Sequence, residues 1–65
     1  MVVRPKLTKI LRERGMTQAE LSEATGIPQG SISRFDKNER HTAWHLFAIS
    51  RALNVPIEEL FEVRD

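Results

Sequence analysis

The 65-residue chain contains no cysteine, so neither a disulfide framework nor a thiolate metal site is open to it. No apolar run approaches the roughly 20 residues of a membrane span. The first residues do not form a secretory signal, because Arg4, Lys6 and Lys9 interrupt the apolar stretch early. A cytoplasmic setting and no membrane partner are expected. The three glycines do not form a phosphate-binding loop. The serines have no histidine–acid arrangement beside them, so no enzyme and no cofactor are expected. Neither internal repeats nor low-complexity tracts are present. His41 and His45 have a four-residue spacing that suggests zinc. No acid follows His41 as in the HExxH pattern, however, and Thr42 reads as a helix N-cap that leaves His41 outside the helix. Metal is therefore not expected.

Neither sign of charge is in large excess, with ten Lys and Arg against nine Asp and Glu. The distribution is uneven. Residues 1–14 carry a net +4, residues 15–27 a net −2, residues 28–45 a net +1 and residues 46–65 a net −2. Sixty-five residues allow one small domain. A core of that size supplies about 3–5 kcal/mol, so dimerisation would help.

What is present centres on TQAELSEATGIPQGSISRF, residues 17–35. Thr17 and Glu20 form a capping box that opens a helix. Leu21 and Ala24 fall on one face at helical spacing. Gly26 ends the helix, because glycine enters the left-handed region without steric penalty. Ile27 plugs the corner, and Pro28 opens a second helix to about Asp36. Ile32 and Phe35 give that helix a buried face. Its other face is Gln29, Gly30, Ser31, Ser33 and Arg34. A surface helix of that make-up can lie in a DNA major groove.

This segment resembles the helix-turn-helix of the Cro/CI repressor family, also called the XRE family. The matching residues are Gln18, Leu21, Ala24, Gly26, Ile27, Ile32 and Phe35. The flanks LRERGMT and LFAISRALNVPIEELF are also typical, so the likeness runs from about Leu7 to Phe61. It implies an all-α domain of the lambda-repressor-like type, a compact five-helix bundle over residues 1–65. Residues 1–5 would be an N-terminal arm, 17–36 the helix-turn-helix and 56–65 the last helix and tail. It also implies double-stranded DNA binding and transcriptional regulation, most simply repression by a homodimer on a (pseudo)palindromic operator. Half-sites would lie about 34–36 Å apart. A module of the same fold that acts mainly on a regulatory protein partner, such as an antitoxin, is the alternative.

Base contacts are expected from Gln29, Gly30, Ser31 and Arg34. Glutamine pairs with adenine N6 and N7, and arginine with guanine O6 and N7. Gln18 and Thr17 open the second helix, where free N–H groups favour phosphate. Ser33, Lys37, Arg40 and His41 complete the expected phosphate contacts. Three positions depart from the family. Ser22 replaces alanine, and its hydroxyl is expected to bond a carbonyl one turn earlier. Gly30 replaces a longer side chain, for close backbone approach or by drift. Asn38 replaces glycine and is expected to adopt the left-handed cap.

Before this motif, Pro5 suits a first helical turn, and a helix to Arg14 buries Leu7, Ile10 and Leu11 before Gly15 ends it. Met16 reads as core. Val2 and Val3 either pack on the domain, pair with a partner chain or fray. After the motif, a helix from Ala43 to Leu53 buries Ala43, Leu46, Phe47, Ser50 and Leu53, with Ile49 beside them. Trp44 falls outside that stripe and either covers the core edge or meets a partner. A short last helix, opened by Pro56, runs from Ile57 to about Phe61 and buries Leu60. Ile57, Phe61 and Val63, with Trp44, are the expected dimer or partner surface.

Overall fold

A computed structural model describes all 65 residues. Strand β1 is Val2–Pro5, followed by helices α1 Leu7–Arg14, α2 Gln18–Thr25 and α3 Gln29–Ser33. A 3-10 turn Phe35–Lys37, helix α4 Ala43–Leu53, a 3-10 turn Ile57–Leu60 and strand β2 Phe61–Arg64 complete the chain. Four α-helices and a two-stranded sheet thus replace the expected five-helix bundle. The fifth helix is a single 3-10 turn, because Phe61 is extended at φ −130° and ψ 150° and turns the chain into β2.

The sheet ties the two ends together. β1 and β2 are antiparallel, with Val2 opposite Arg64, Val3 opposite Val63, Arg4 opposite Glu62 and Pro5 opposite Phe61. Val2 and Val3 therefore neither fray nor wait for another chain. Pro5 ends a strand rather than opening a helix, which fits its inability to donate to a ladder.

Nine side chains form the core: Leu7, Leu11, Leu21, Ile27, Ile32, Phe35, Ile49, Leu53 and Leu60. Each helix contributes, and Ile10, Met16 and Leu46 pack against the cluster. Ala24, Ala43 and Phe47 were expected to face inward and are exposed. The reason is shortness: so small a core is filled by one residue per helical turn, and the flanks of each stripe stay wet. A leucine-to-alanine change in such a core costs about 2–5 kcal/mol, comparable to the whole stability of a domain this size.

Two helix ends use one device twice, a short echo that periodicity did not reveal. The sequences SEATGIP at 22–28 and SRALNVP at 50–56 share a serine, a left-handed residue four on, a branched apolar residue and a proline. Gly26 has φ 78° and Asn54 φ 57°. The Ser22 hydroxyl donates to the Ile27 carbonyl at 2.6 Å, and Ser50 donates likewise to Val55. Ser22 thus reaches five residues forward, not one turn back. Thr25 Oγ1 accepts from the Ile27 N–H at 3.2 Å, so both backbone groups of this buried residue are satisfied by α2 side chains. The corner between α2 and α3 is consequently fixed by hydrogen bonds as well as by packing.

Candidate nucleic-acid interface

The capping box that opens α2 is present. Thr17 Oγ1 accepts the Glu20 N–H at 3.1 Å, and Glu20 Oε1 accepts the Thr17 N–H at 2.8 Å. The bonds to the Thr17 backbone and then to its hydroxyl hold the Glu20 carboxyl below its ordinary 4.5. Thr17 is exposed, and Gln18 beside it is half-buried.

From that fixed end α2 leads through Gly26 and Ile27 into α3, which is shorter than expected. Only Gln29–Ser33 is α-helical; Arg34 follows at φ −96° and ψ −2°, and the chain tightens into the 3-10 turn. Buried Ile32 and Phe35 anchor this segment. Gln29, Gly30, Ser33 and Arg34 are exposed and Ser31 is half-buried, so the predicted base-contacting residues form one polar outer face. Ser33 Oγ donates to the Gly30 carbonyl at 3.2 Å.

Gly30 lies against the end of the Arg34 side chain. A methyl group there would stand 3.3 Å from Arg34 Nη1 and 3.7 Å from Cζ. The guanidinium thus lies over the bare backbone of Gly30, one turn before it, as an i, i+4 neighbour.

Arg34 and Arg40 meet in a cleft of about 150 Å³ between α3 and the start of α4, with Ser31, Asn38 and His45 in its wall. Asn38 and His45 line this cleft although the sequence singled out neither for DNA. Thr42 occupies the N-cap of α4 without a side-chain bond, leaving that helix end unblocked. Lys37 and Arg40 are exposed on the segment that leaves α3. Asn38 is extended at φ −88° and ψ 139°, not left-handed. The 3-10 turn has already reversed the chain, so no left-handed residue is needed.

His41 turns inward instead of outward. Its Nε2 lies 2.8 Å from the Phe35 carbonyl, so the Nε2–H donates there. The ring lies 4.1 Å from the Phe35 ring and 5.7 Å from Phe61, centre to centre. These three rings join the 3-10 turn that follows α3 to β2. Phe61 is accordingly half-buried rather than a free apolar edge. Asp36 carries a role that the sequence did not suggest. Its Oδ1 accepts the Leu7 N–H at 2.8 Å and its Oδ2 the Thr8 N–H at 3.0 Å. Lys6 sits at the α1 N-cap with no side-chain bond, and Asp36 supplies the cap from across the fold.

A capped helix, a left-handed glycine corner and a short crossing helix with a polar outer face define a helix-turn-helix, a unit that presents one helix to duplex DNA. Residues 6–65 match the family described as the Cro/C1-type HTH DNA-binding domain, and the chain belongs to that family. No curated protein matches it. No helix is long and apolar enough to cross a membrane.

Proposed function

We propose that the protein regulates transcription in the cytoplasm by binding a specific duplex DNA site as a homodimer, most simply as a repressor. The observation that carries this reading is the outer face of α3. Four polar or bare positions, Gln29, Gly30, Ser33 and Arg34, are exposed together on a segment whose other face is pinned by Ile32 and Phe35. Gln29 reads adenine and Arg34 reads guanine, each with two hydrogen bonds. Ser31 reaches an adjoining base edge, and Gly30 lets the backbone approach. Thr17 and Gln18 hold one phosphate at the start of α2, and Lys37 and Arg40 hold others, joined by Ser33 once its hydroxyl turns from the Gly30 carbonyl, fixing register without reading sequence. His41 gives its Nε2–H to the Phe35 carbonyl, so its contact to phosphate would be made through Nδ1.

Selection from a random duplex pool near 150 mM salt, with sequencing of what is retained, tests this. An enriched palindrome with half-sites one helical turn apart is the expected result. No enrichment would overturn the reading.

One observation favours a second reading, a module that docks on another protein. Trp44 and Phe47, both 54% exposed, stand side by side on α4 with Arg51 beside them. Exposed aromatics of this kind mark contact surfaces. A Trp44→Ala change that abolished regulation in cells but left DNA affinity intact would favour it.

A further inference from the structure

The cleft between α3 and the start of α4 holds positive charge with nothing to balance it. Arg34, Arg40, His41 and His45 line it, and no carboxylate does. The one ion pair of the domain joins Arg64 to Glu62 on β2, so neither arginine of the cleft is neutralised. The cleft adjoins the outer face of α3, because Ser31 and Arg34 belong to both. Duplex lying on that face brings its backbone to the cleft.

His41 carries a chemical constraint that the other three lack. Its Nε2–H is given to the Phe35 carbonyl at 2.8 Å. A carbonyl can only accept, so in the neutral ring Nδ1 carries a lone pair. That lone pair repels a phosphate oxygen. Protonation turns Nδ1 into a donor and leaves the bond to Phe35 in place. His41 therefore meets an anion only as the charged imidazolium. His45 differs, since nothing on the page fixes its tautomer and a neutral ring can still offer an N–H.

The other groups around His41 do not supply the missing negative charge. On its far side the ring borders a second cleft, with Arg4 of β1 and with Asp36, Lys37 and Glu39. The Asp36 carboxylate is occupied by the Leu7 and Thr8 N–H groups. Glu39 is exposed to water. Phe35 and Phe61, whose rings pack on His41, bear no charge. Histidine is the side chain whose charge ordinarily changes between about pH 5 and 8, and an opposite charge favours its protonated form.

We propose that a backbone phosphate of duplex DNA enters this cleft and loads a solvent proton onto His41 Nδ1, so that affinity for DNA rises as pH falls. The proposal rests on the DNA-binding reading above and adds a regulator to it, the acidity of the surroundings. The sign follows from linkage. Phosphate binds the protonated ring, so the extra affinity is complete where the free ring is already charged. It is lost as pH rises to where the ring is neutral even in the complex.

The test is binding of the full chain to a labelled mixed-sequence duplex of about 24 base pairs, at one ionic strength and in phosphate-free buffer. Such a probe reads the backbone contacts without the bases. One linked proton changes affinity by at most about tenfold per pH unit, and the parent should bind about tenfold tighter at about pH 6 than at about pH 8. His41→Gln keeps an N–H donor but cannot titrate. It should lose that slope, with helical circular dichroism unchanged, while His45→Gln should keep it. The chain has two histidines, so H45Q leaves a single histidine ring signal in a proton NMR spectrum. Added duplex should move that signal toward its charged position at neutral pH, a readout that does not depend on the folding of H41Q. A parent that binds equally across this range would overturn the proposal and leave the DNA reading intact. So would an unmoved His41 signal, or an H41Q that keeps the parent's slope. Loss of the slope in H45Q would overturn it by assigning the proton to His45. Absence of duplex binding at every pH would overturn the DNA reading and this proposal with it.

Discussion

The Asp36 carboxylate closes the N-terminus of α1 from 29 positions away, with Oδ1 2.8 Å from the Leu7 nitrogen and Oδ2 3.0 Å from that of Thr8. The negative charge also sits at the positive end of the helix dipole. Because Asp36 follows α3 closely in the chain, the cap couples the position of α3 to the body of the domain.

Replacing Asp36 with alanine leaves two N–H groups of α1 without a protein partner. Hydrogen bonds to a charged group are worth about 1.5–3 kcal/mol, so Asp36→Ala should destabilise by that order. For a domain of this size the melting temperature should fall by about 4–8 °C per kcal/mol. Thermal unfolding followed by circular dichroism checks this. An unchanged melting temperature would mean that water replaces the cap at no cost.

Gly30 separates stability from recognition. Alanine is favoured over glycine in a helix by up to about 1 kcal/mol. Gly30→Ala should therefore raise the melting temperature slightly, or leave it unchanged in so short a helix. The added methyl group would stand 3.3 Å from Arg34 Nη1 and displace the guanidinium. Selection from a DNA pool should then show relaxed or altered preference at the base that Arg34 reads. A preserved preference would show that the Arg34 position does not depend on Gly30.

Base-reading and phosphate-holding residues should differ in kind. Arg34→Ala and Gln29→Ala should each cost about 1–3 kcal/mol, and mainly at one base position. Lys37→Ala and Arg40→Ala should weaken binding to all sequences alike and reduce the salt slope by about one each. Titrations at several salt concentrations, on matched and mismatched sites, distinguish the two groups. A uniform loss from Arg34→Ala would move it to the phosphate set.

Acid should weaken the domain through two carboxylates. Glu20 is held below 4.5 by its bonds to Thr17, and Glu62 by its hydrogen bond to Arg64 and then by that residue's charge. A carboxyl depressed in the folded state adds stability that is complete above its unfolded value. That contribution is lost as pH falls through the folded value. Stability should therefore hold above about pH 5 and decline below the ordinary carboxyl range. Glu20→Gln can still accept the Thr17 N–H but cannot titrate. Its stability should fall less steeply with acid than that of the parent, as urea midpoints from pH 7 to pH 3 would show.

Much of this protein was determined locally. The capping box at Thr17, the glycine ends at Gly15 and Gly26, and the core positions Leu7, Leu11, Leu21, Ile27, Ile32, Phe35, Leu53 and Leu60 follow from spacing and backbone preference alone. So does the exposure of Gln29 and Arg34, because a short amphipathic helix with Ile32 inward must turn them outward. Tertiary structure decided the rest. VVRP and FEVR are too short to declare themselves as strands, and each becomes one only because the other end of the chain lies beside it. Asp36 reads as a loop acid until α1 arrives with unpaired N–H groups. His41 reads as an outward phosphate contact until Phe35 and Phe61 close around its ring. In each case the deciding partner is more than five positions away in sequence. Periodicity and caps record only what lies within a few residues, and contacts closed by folding leave no such local mark.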